Sequence, residues 1–594
     1  MGSGRDLEVA GALTVGEGGV GTLAVTAGGQ VSSKWGRLGS EPGSTGTATV
    51  TGSGSAWTNT ANLSVGYLGA GTMRVEAGGQ VSNVCGILGL EPGSTGEATV
   101  TGEDSTWTNS DFLYVGYAGA GTLTLEAGGQ VSNSRGILGL EPGSTGTATV
   151  TGEGSTWTNS DFLYVGYAGA GTLTVEAGGQ VSNSSNLYVG YESGSTGTAT
   201  VTGEGSTWTN TANLSVGYLG AGTLRVEAGG QVSNVSGHLG YWSGSGTATV
   251  TGADSTWTNS HSLYVGYLGA GTMRVEAGGQ VTSARGCLGV DVGSIGTVAV
   301  TGADSTWTTT GSLYVGGSDV GPGGTGTLTV QNGGAVTVGE TLKLRKADSE
   351  VTVNAGTLTA GVLEGTTGII GITDPAGGTA LTVGSAASGT YAGALTDDTG
   401  PGSLTKIGAG TQTLAGAGIA YTGTTTVLDG ILKLSDTMAF ASAITNDADV
   451  EFEATTGTWT FGSALAGGGT FVKSGDGTLI ISGPQDYDAG ALFEVLAGTV
   501  EMHTDASSTG DMADASLSML VADAQLDFGC DQHLDTLTID DGGLVRLTGA
   551  NVVVVKNLVM NGIPLGPMTL TPEPATLALL AVGALGVLFR RRRA

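Results

Sequence analysis

The chain is expected to fold as an all-β, right-handed parallel β-helix of about 25 residues per coil, and three observations point there. The first is a period. Thr-Trp-Thr, or a near copy, recurs around Trp57, Trp107, Trp157, Trp208, Trp257 and Trp307, at spacings of 50, 50, 51, 49 and 50 residues. Each unit has two related halves: Gly146-Thr-Ala-Thr-Val150 leading to Thr156-Trp-Thr-Asn159, then Gly171-Thr-Leu-Thr-Val175 leading to Gln180-Val-Ser-Asn183. In the fourth unit Leu187-Tyr188-Val189-Gly190 puts first-half sequence into a second-half slot. The second is strand chemistry, β-branched residues alternating at period two. The third is a small polar residue closing every half: Ser33, Asn59, Asn83, Asn109, Asn133, Asn159, Asn183, Asn210, Asn234, Asn259, Ser283 and Thr309, 276 residues over eleven steps. A fixed period of this size is the mark of a stacked-repeat architecture.

Each part of the coil has a physical reason. In Thr-Leu-Thr-Val the Leu and Val point inward and Thr faces out. Gly-Gly and Gly-Ser-Thr-Gly permit the sharp corners between strands. Coils about 4.8 Å apart satisfy one another's backbone groups. An asparagine at the same corner of each coil is expected to bond its side-chain amide along the stack, a structural ladder. Exposed tryptophan would suit sugar binding. Trp57 shares its column with Val31 and Val81, however, which favours core packing of all six. Cys287 falls in the column assigned to Ile87, Leu187 and His238 and is expected to be a buried thiol. Cys85 and Cys287, about eight coils apart, cannot bond to each other in one chain.

Composition narrows the function. Of 594 residues 113 are glycine, without a collagen period, and 39% are hydrophobic, which argues against disorder. A net charge of −31 argues against nucleic acid as partner and fits a soluble exported protein. Three cysteines and four histidines form no zinc or disulfide pattern, so no cofactor or metal is expected. Glu76, Glu126, Glu176, Glu227 and Glu276 make one acidic column, and Glu103, Glu153, Glu204, Asp254 and Asp304 lie near the equivalent corner of alternate coils. Solvation of these carboxylates is the default reading and calcium the alternative. His503 and His533 sit near Asp505, Asp531 and Asp535, with no activated nucleophile to place beside them. No catalytic residues are assigned.

The unit as a whole, with its Val-Thr-Gly-x-x-Ser-x-Trp-Thr core, resembles a repeat family shared by type V secretion passengers and PEP-CTERM proteins. It covers roughly residues 11–340 of a repetitive region assigned to 1–340. Residues 341–402 read as an irregular β transition. Over 403–502, Leu404–Gly416 recurs loosely as Phe471–Gly483, and Tyr421–Leu432 continues the first copy. This resembles the autotransporter-associated β-strand repeat. Residues 503–568 read as the β-rich end of the solenoid, with Met560–Thr571 as linker.

The last segment, 569–594, reads Pro572-Glu573-Pro574, an apolar run and Arg590-Arg591-Arg592-Arg593. Ala575, Leu577, Leu579, Leu580, Val582, Leu585, Val587, Leu588 and Phe589 would form one short transmembrane helix. At roughly 22 Å it is short of the ~30 Å hydrocarbon core. The arginines would stay in the cytoplasm. The three parts in this order resemble the PEP-CTERM protein-sorting signal. The resemblance implies recognition by an exosortase at the inner membrane, cutting near the Pro-Glu-Pro motif, and release to the cell surface. An ordinary membrane anchor is the alternative. A chain sorted this way is expected to carry a signal peptide, and none is read at Met1–Gly11, so the N-terminus is expected to be incomplete.

Together these features indicate a structural protein of the cell surface or extracellular matrix, in the envelope of a Gram-negative-type bacterium. The first alternative is an adhesin binding extracellular polysaccharide. A β-helix polysaccharide-degrading enzyme is the remoter one.

Overall fold

The computed structural model describes residues 6–374, 380–437 and 439–572, with the backbone of 578–580. It is an all-β parallel β-solenoid of about 25 residues per turn. The chain divides into two compact units, Met1–Thr337 and Val338–Ala594.

In the first unit one turn holds three strands, for example Thr145–Thr151, Thr156–Asn159 and Leu163–Val165. Along the long strand Gly146, Ala148 and Val150 are buried while the threonines between them face outward, as period-two alternation requires. The next turn repeats it in parallel, Thr145 opposite Ala170 and Val150 opposite Val175. Like pairs with like through the unit, from Val20–Thr26 to Thr325–Gln331. The backbone ladder is thereby satisfied between turns, and little helix is present.

The core alternates large and small. Trp57, Trp107, Trp157, Trp208, Trp257 and Trp307 are all at most 1% exposed, each stacked between valines of adjacent turns, as Val131–Trp157–Val181 shows. The valine turn makes room for the indole through Gly136, where an added Cβ would lie 3.0 Å from the Trp157 ring and 2.5 Å from Asn159 Oδ1. Leu163 takes the glycine's place in the tryptophan turn. One turn breaks this rule. Leu187 stands in the slot before Trp208 where the rule would put glycine.

The asparagines differ from the expected continuous ladder. They form pairs: Asn83 Nδ2 donates to Asn109 Oδ1 at 2.6 Å, Asn133 to Asn159 at 2.6 Å, Asn183 to Asn210 at 2.5 Å and Asn234 to Asn259 at 2.7 Å. At the N-terminal end Ser33 Oγ meets Asn59 Oδ1 at 2.7 Å. The indoles explain the pairing. Trp107, Trp157 and Trp257 donate Nε1–H to Asn83, Asn133 and Asn234 at 2.7–2.8 Å, occupying the oxygen a ladder would need. The second asparagine of a pair therefore turns to a carbonyl, as Asn109 does to Ser132 O at 3.5 Å, the oxygen of Asn133 being held by Trp157. In the turn that carries Leu187, Trp208 Nε1 and Asn183 Oδ1 are both left without partners.

The second unit runs in shorter turns, Thr411 lying opposite Ile431, Ile431 opposite Asp449 and Asp449 opposite Thr470. Two lysines hold its corners. Lys406, 1% exposed, donates from Nζ to the carbonyls of Ile407, Gly408 and Asp429 at 2.6–2.9 Å. Lys473 does the same for Ser474, Gly475 and Ala497 at 2.6–3.2 Å. Main-chain oxygens meet these ammonium groups, and burial lowers both pKa values.

Residues 560–571, read from sequence as a linker, instead form strand. Ile563–Leu570 turns back at Asn561-Gly562 and pairs antiparallel with Val553–Met560. Pro564 and Pro567 in that strand carry no N–H, a feature that blunts a sheet edge against further pairing. In the tail, the backbone of Ala578–Leu580 is a short strand antiparallel to Leu544–Leu547 rather than the helix expected there. Glu573–Leu577 and 581–594 lie outside the described residues. Among the described residues no helix is long and apolar enough to cross a membrane.

Candidate functional site

The sorting motif itself is placed only at Pro572; Glu573, Pro574 and the arginines Arg590–Arg593 lie outside the described residues. The site that the folded repeats build is elsewhere. The segment Leu-x-Val-Gly, most often Leu-Tyr-Val-Gly-Tyr, ends each tryptophan turn at a corner, and Gly166 shows how. Its φ of +75° sends the chain sharply round, so that Tyr164 before it and Tyr167 after it emerge side by side. Their ring centroids are 5.1 Å apart and nearly perpendicular.

Parallel register turns these two positions into two columns along one edge. The first runs Arg37, Ser64, Ile87, Tyr114, Ile137, Tyr164, Tyr188, Ser215, His238, Tyr264, Cys287 and Tyr314. Register therefore puts Tyr188, not Leu187, in the column of Cys287, whose thiol is fully buried. Beside it Tyr167, Tyr191, Tyr218, Tyr241 and Tyr267 occupy five successive turns, their centroids 4.9–5.3 Å apart. The last four lie within 17° of parallel, step by step. These rings cover one another's faces and leave edges and hydroxyls outward. Trp242, 48% exposed, donates Nε1–H to Tyr218 Oη at 2.9 Å.

Before Tyr164 the columns alternate instead. Ile87, Leu90, Ile137 and Leu140 separate the aromatic turns, and each aliphatic side chain ends short of the phenol beside it. Two clefts result. One, of about 300 Å³, is floored by Ile137 and Leu140 between Phe112–Tyr114 and Phe162–Tyr167. The other, of about 420 Å³, lies between Trp35–Tyr67 and Tyr114–Tyr117 over Cys85, Ile87 and Leu90. Arginines lie on the rings: Arg135 is 5.0 Å above Phe112 and Arg37 is 4.7 Å above Tyr67, while Lys34 lies 4.2 Å over Trp35. Arg135 is committed to Asp161, Nε to Oδ2 at 2.8 Å.

Electrostatics follow from burial. Desolvation first, then Cys85 and nearby acids, push Tyr114 up to about 12, and burial raises Tyr164 as well, so both stay protonated donors. Burial lowers His238 to about 4, against a backbone hydrogen bond at Leu214 that raises it. Its ring stacks on Tyr264 at 5.0 Å, with Nδ1 unpartnered.

Other sequence candidates do not converge on this edge. Glu76 and Glu227 meet Arg74 and Arg225 of their own strands at 3.5 and 3.0 Å. Among the described residues no group of three His, Cys, Asp or Glu could hold a metal ion. His533 Nδ1 contacts Asp505 Oδ2 at 2.6 Å, but burial raises the nearby Cys530 thiol, which accepts from Gln532 Nε2 at 3.0 Å. The tyrosine columns are not among the residues singled out from the sequence, where tryptophan dominates the period. Their signal was present in the Tyr-Val-Gly-Tyr spacing, repeated in phase with the period.

Comparison with known proteins adds an address. Residues 570–593 match the PEP-CTERM protein-sorting motif, which implies exosortase recognition and export to the cell envelope or surface. No curated protein matches the chain. Among solved structures, the TibC-catalyzed hyper-glycosylated TibA55-350 fragment matches at 17% identity and a TM-score of 0.32, over 60% of this chain and 93% of that one.

Proposed function

We propose that this is a structural protein of the bacterial surface or extracellular matrix, carried out by export and released by an exosortase at Pro572-Glu573-Pro574, with no catalytic role. The sorting match at 570–593 carries the reading. The repeats support it, since their side chains are spent on packing, corners and paired hydrogen bonds between turns. Arg590–Arg593 would hold the tail on the cytoplasmic side until cleavage. The test is cell fractionation of the Pro572→Ala/Glu573→Ala double variant in its host. Accumulation in the membrane with loss from the surface is expected. Normal surface delivery of that variant would overturn the reading. The aromatic edge favours a second, compatible role as a polysaccharide-binding adhesin.

A further inference from the structure

We propose that the larger cleft, between Trp35–Tyr67 and Tyr114–Tyr117, binds the pyranose rings of an acidic extracellular polysaccharide. The proposal rests on the extracellular reading above. Three observations carry it. The walls are aromatic side chains from turns separated by an aliphatic one, so parts of the ring faces are uncovered. A π face is electronegative and suits the slightly positive axial C–H groups of a sugar ring, while Asn62 and the tyrosine hydroxyls suit its rim.

The second observation is charge. Lys34 and Arg37 lie over Trp35 and Tyr67 with no carboxylate within ion-pair distance among the described residues. In the smaller cleft the corresponding cation, Arg135, is already neutralised by Asp161. Two uncommitted cations beside aromatic faces match a sugar that carries a carboxylate, since guanidinium pairs with carboxylate in bidentate geometry. The net charge of −31 does not cancel this, because charges beyond the ~8 Å Debye length are screened in physiological salt. Asp111 is the acid at the far wall, beside Cys85 and Tyr114, and Arg135 partly answers it.

The third is the contrast within the edge. From Tyr167 to Tyr267 the second column places a ring in every turn, each packed against the next, where the N-terminal turns alternate aromatic with aliphatic. The binding face is thus assigned to the N-terminal turns.

The experiment is titration calorimetry of the full chain with an oligogalacturonate and, separately, a cello-oligosaccharide, at low and high salt. The acidic glycan is expected to bind at least tenfold more tightly, with affinity falling as salt rises. Lys34→Gln with Arg37→Gln, at partly exposed positions, should weaken it at least tenfold and leave circular dichroism unchanged. Tyr67→Ala should weaken both glycans. Equal binding of the two glycans, no binding of either, or binding indifferent to the Lys34/Arg37 change would each overturn the proposal. These outcomes are independent of where the protein is delivered, so failure here and failure of the surface reading are distinguishable.

Discussion

Two stretches of one edge, built on the same backbone, present different surfaces. Around Tyr114 the aromatic turns alternate with Ile137 and Leu140, and clefts open between them. From Tyr164 onward Tyr188 and Tyr191 fill the intervening turn, and the rings close into a stack. The half-repeat exchange at Leu187–Tyr191 starts the stack, and Tyr241, in the slot that Leu90 and Leu140 occupy earlier, continues it. The exchange brings two tyrosines to the edge, and it also puts Leu187 where glycine makes room for an indole. Trp208 loses its hydrogen bond to Asn183 in that turn and in that turn's core. The comparison shows that edge and core are coupled through one five-residue segment, and that a cleft here is a consequence of side-chain length rather than of backbone shape.

The largest expected effect is in the core. Trp157→Ala should cost about 3–5 kcal/mol, read as loss of hydrogen-exchange protection in its own and neighbouring turns, because repeats couple mainly to their neighbours. Trp208→Ala should cost about 1 kcal/mol less, since its indole N–H has no partner to lose. Equal costs would break the comparison.

Next comes acid. His238 has a folded pKa of about 4 against an ordinary 6.5. Between those values the unfolded chain binds a proton that the folded chain refuses. Its contribution is therefore complete above pH 6.5 and is lost as pH falls toward about 4, by about 3 kcal/mol in total. His238→Tyr, the residue that the next turn carries at Tyr264, should flatten that part of a urea-stability profile between the two pH values.

Asn133→Ala should cost roughly 1–3 kcal/mol, because it strands the Trp157 N–H and the Asn159 carbonyl. Asn183→Ala should cost less, as its oxygen accepts from nothing. Thermal or urea midpoints of the two variants check the order. The smallest stability effect should come from Ile137→Tyr with Leu140→Tyr, within about 1 kcal/mol of the parent. That variant converts the open stretch into the stacked one. A crystal structure should show a continuous ring stack where the smaller cleft was.

Much of this was legible in the residues. The tryptophan period, the Thr-x-Thr-x alternation and the recurring asparagines imply the parallel stack directly, because backbone pairing repeats whatever the sequence repeats. The ladder was read too simply. Spacing places Asn133 above Asn159 but does not reveal that an indole N–H competes for the same oxygen. The aromatic edge was overlooked for a related reason: whether Tyr164 and Tyr167 share a surface depends on the positive φ of Gly166, a backbone property that a column of letters does not display. The strand at Ile563–Leu570 was hidden by its two prolines, which argue against strand unless it lies at an edge. Nothing in the sequence marks Lys406 and Lys473 as buried; the corner carbonyls around them explain it.

The most direct measurement is the intact mass of the protein recovered from the surface of its host. A chain ending near Pro572-Glu573-Pro574, without Arg590–Arg593, is the expected result. A surface form that still carries all four arginines would contradict release by an exosortase and leave a permanent anchor in its place.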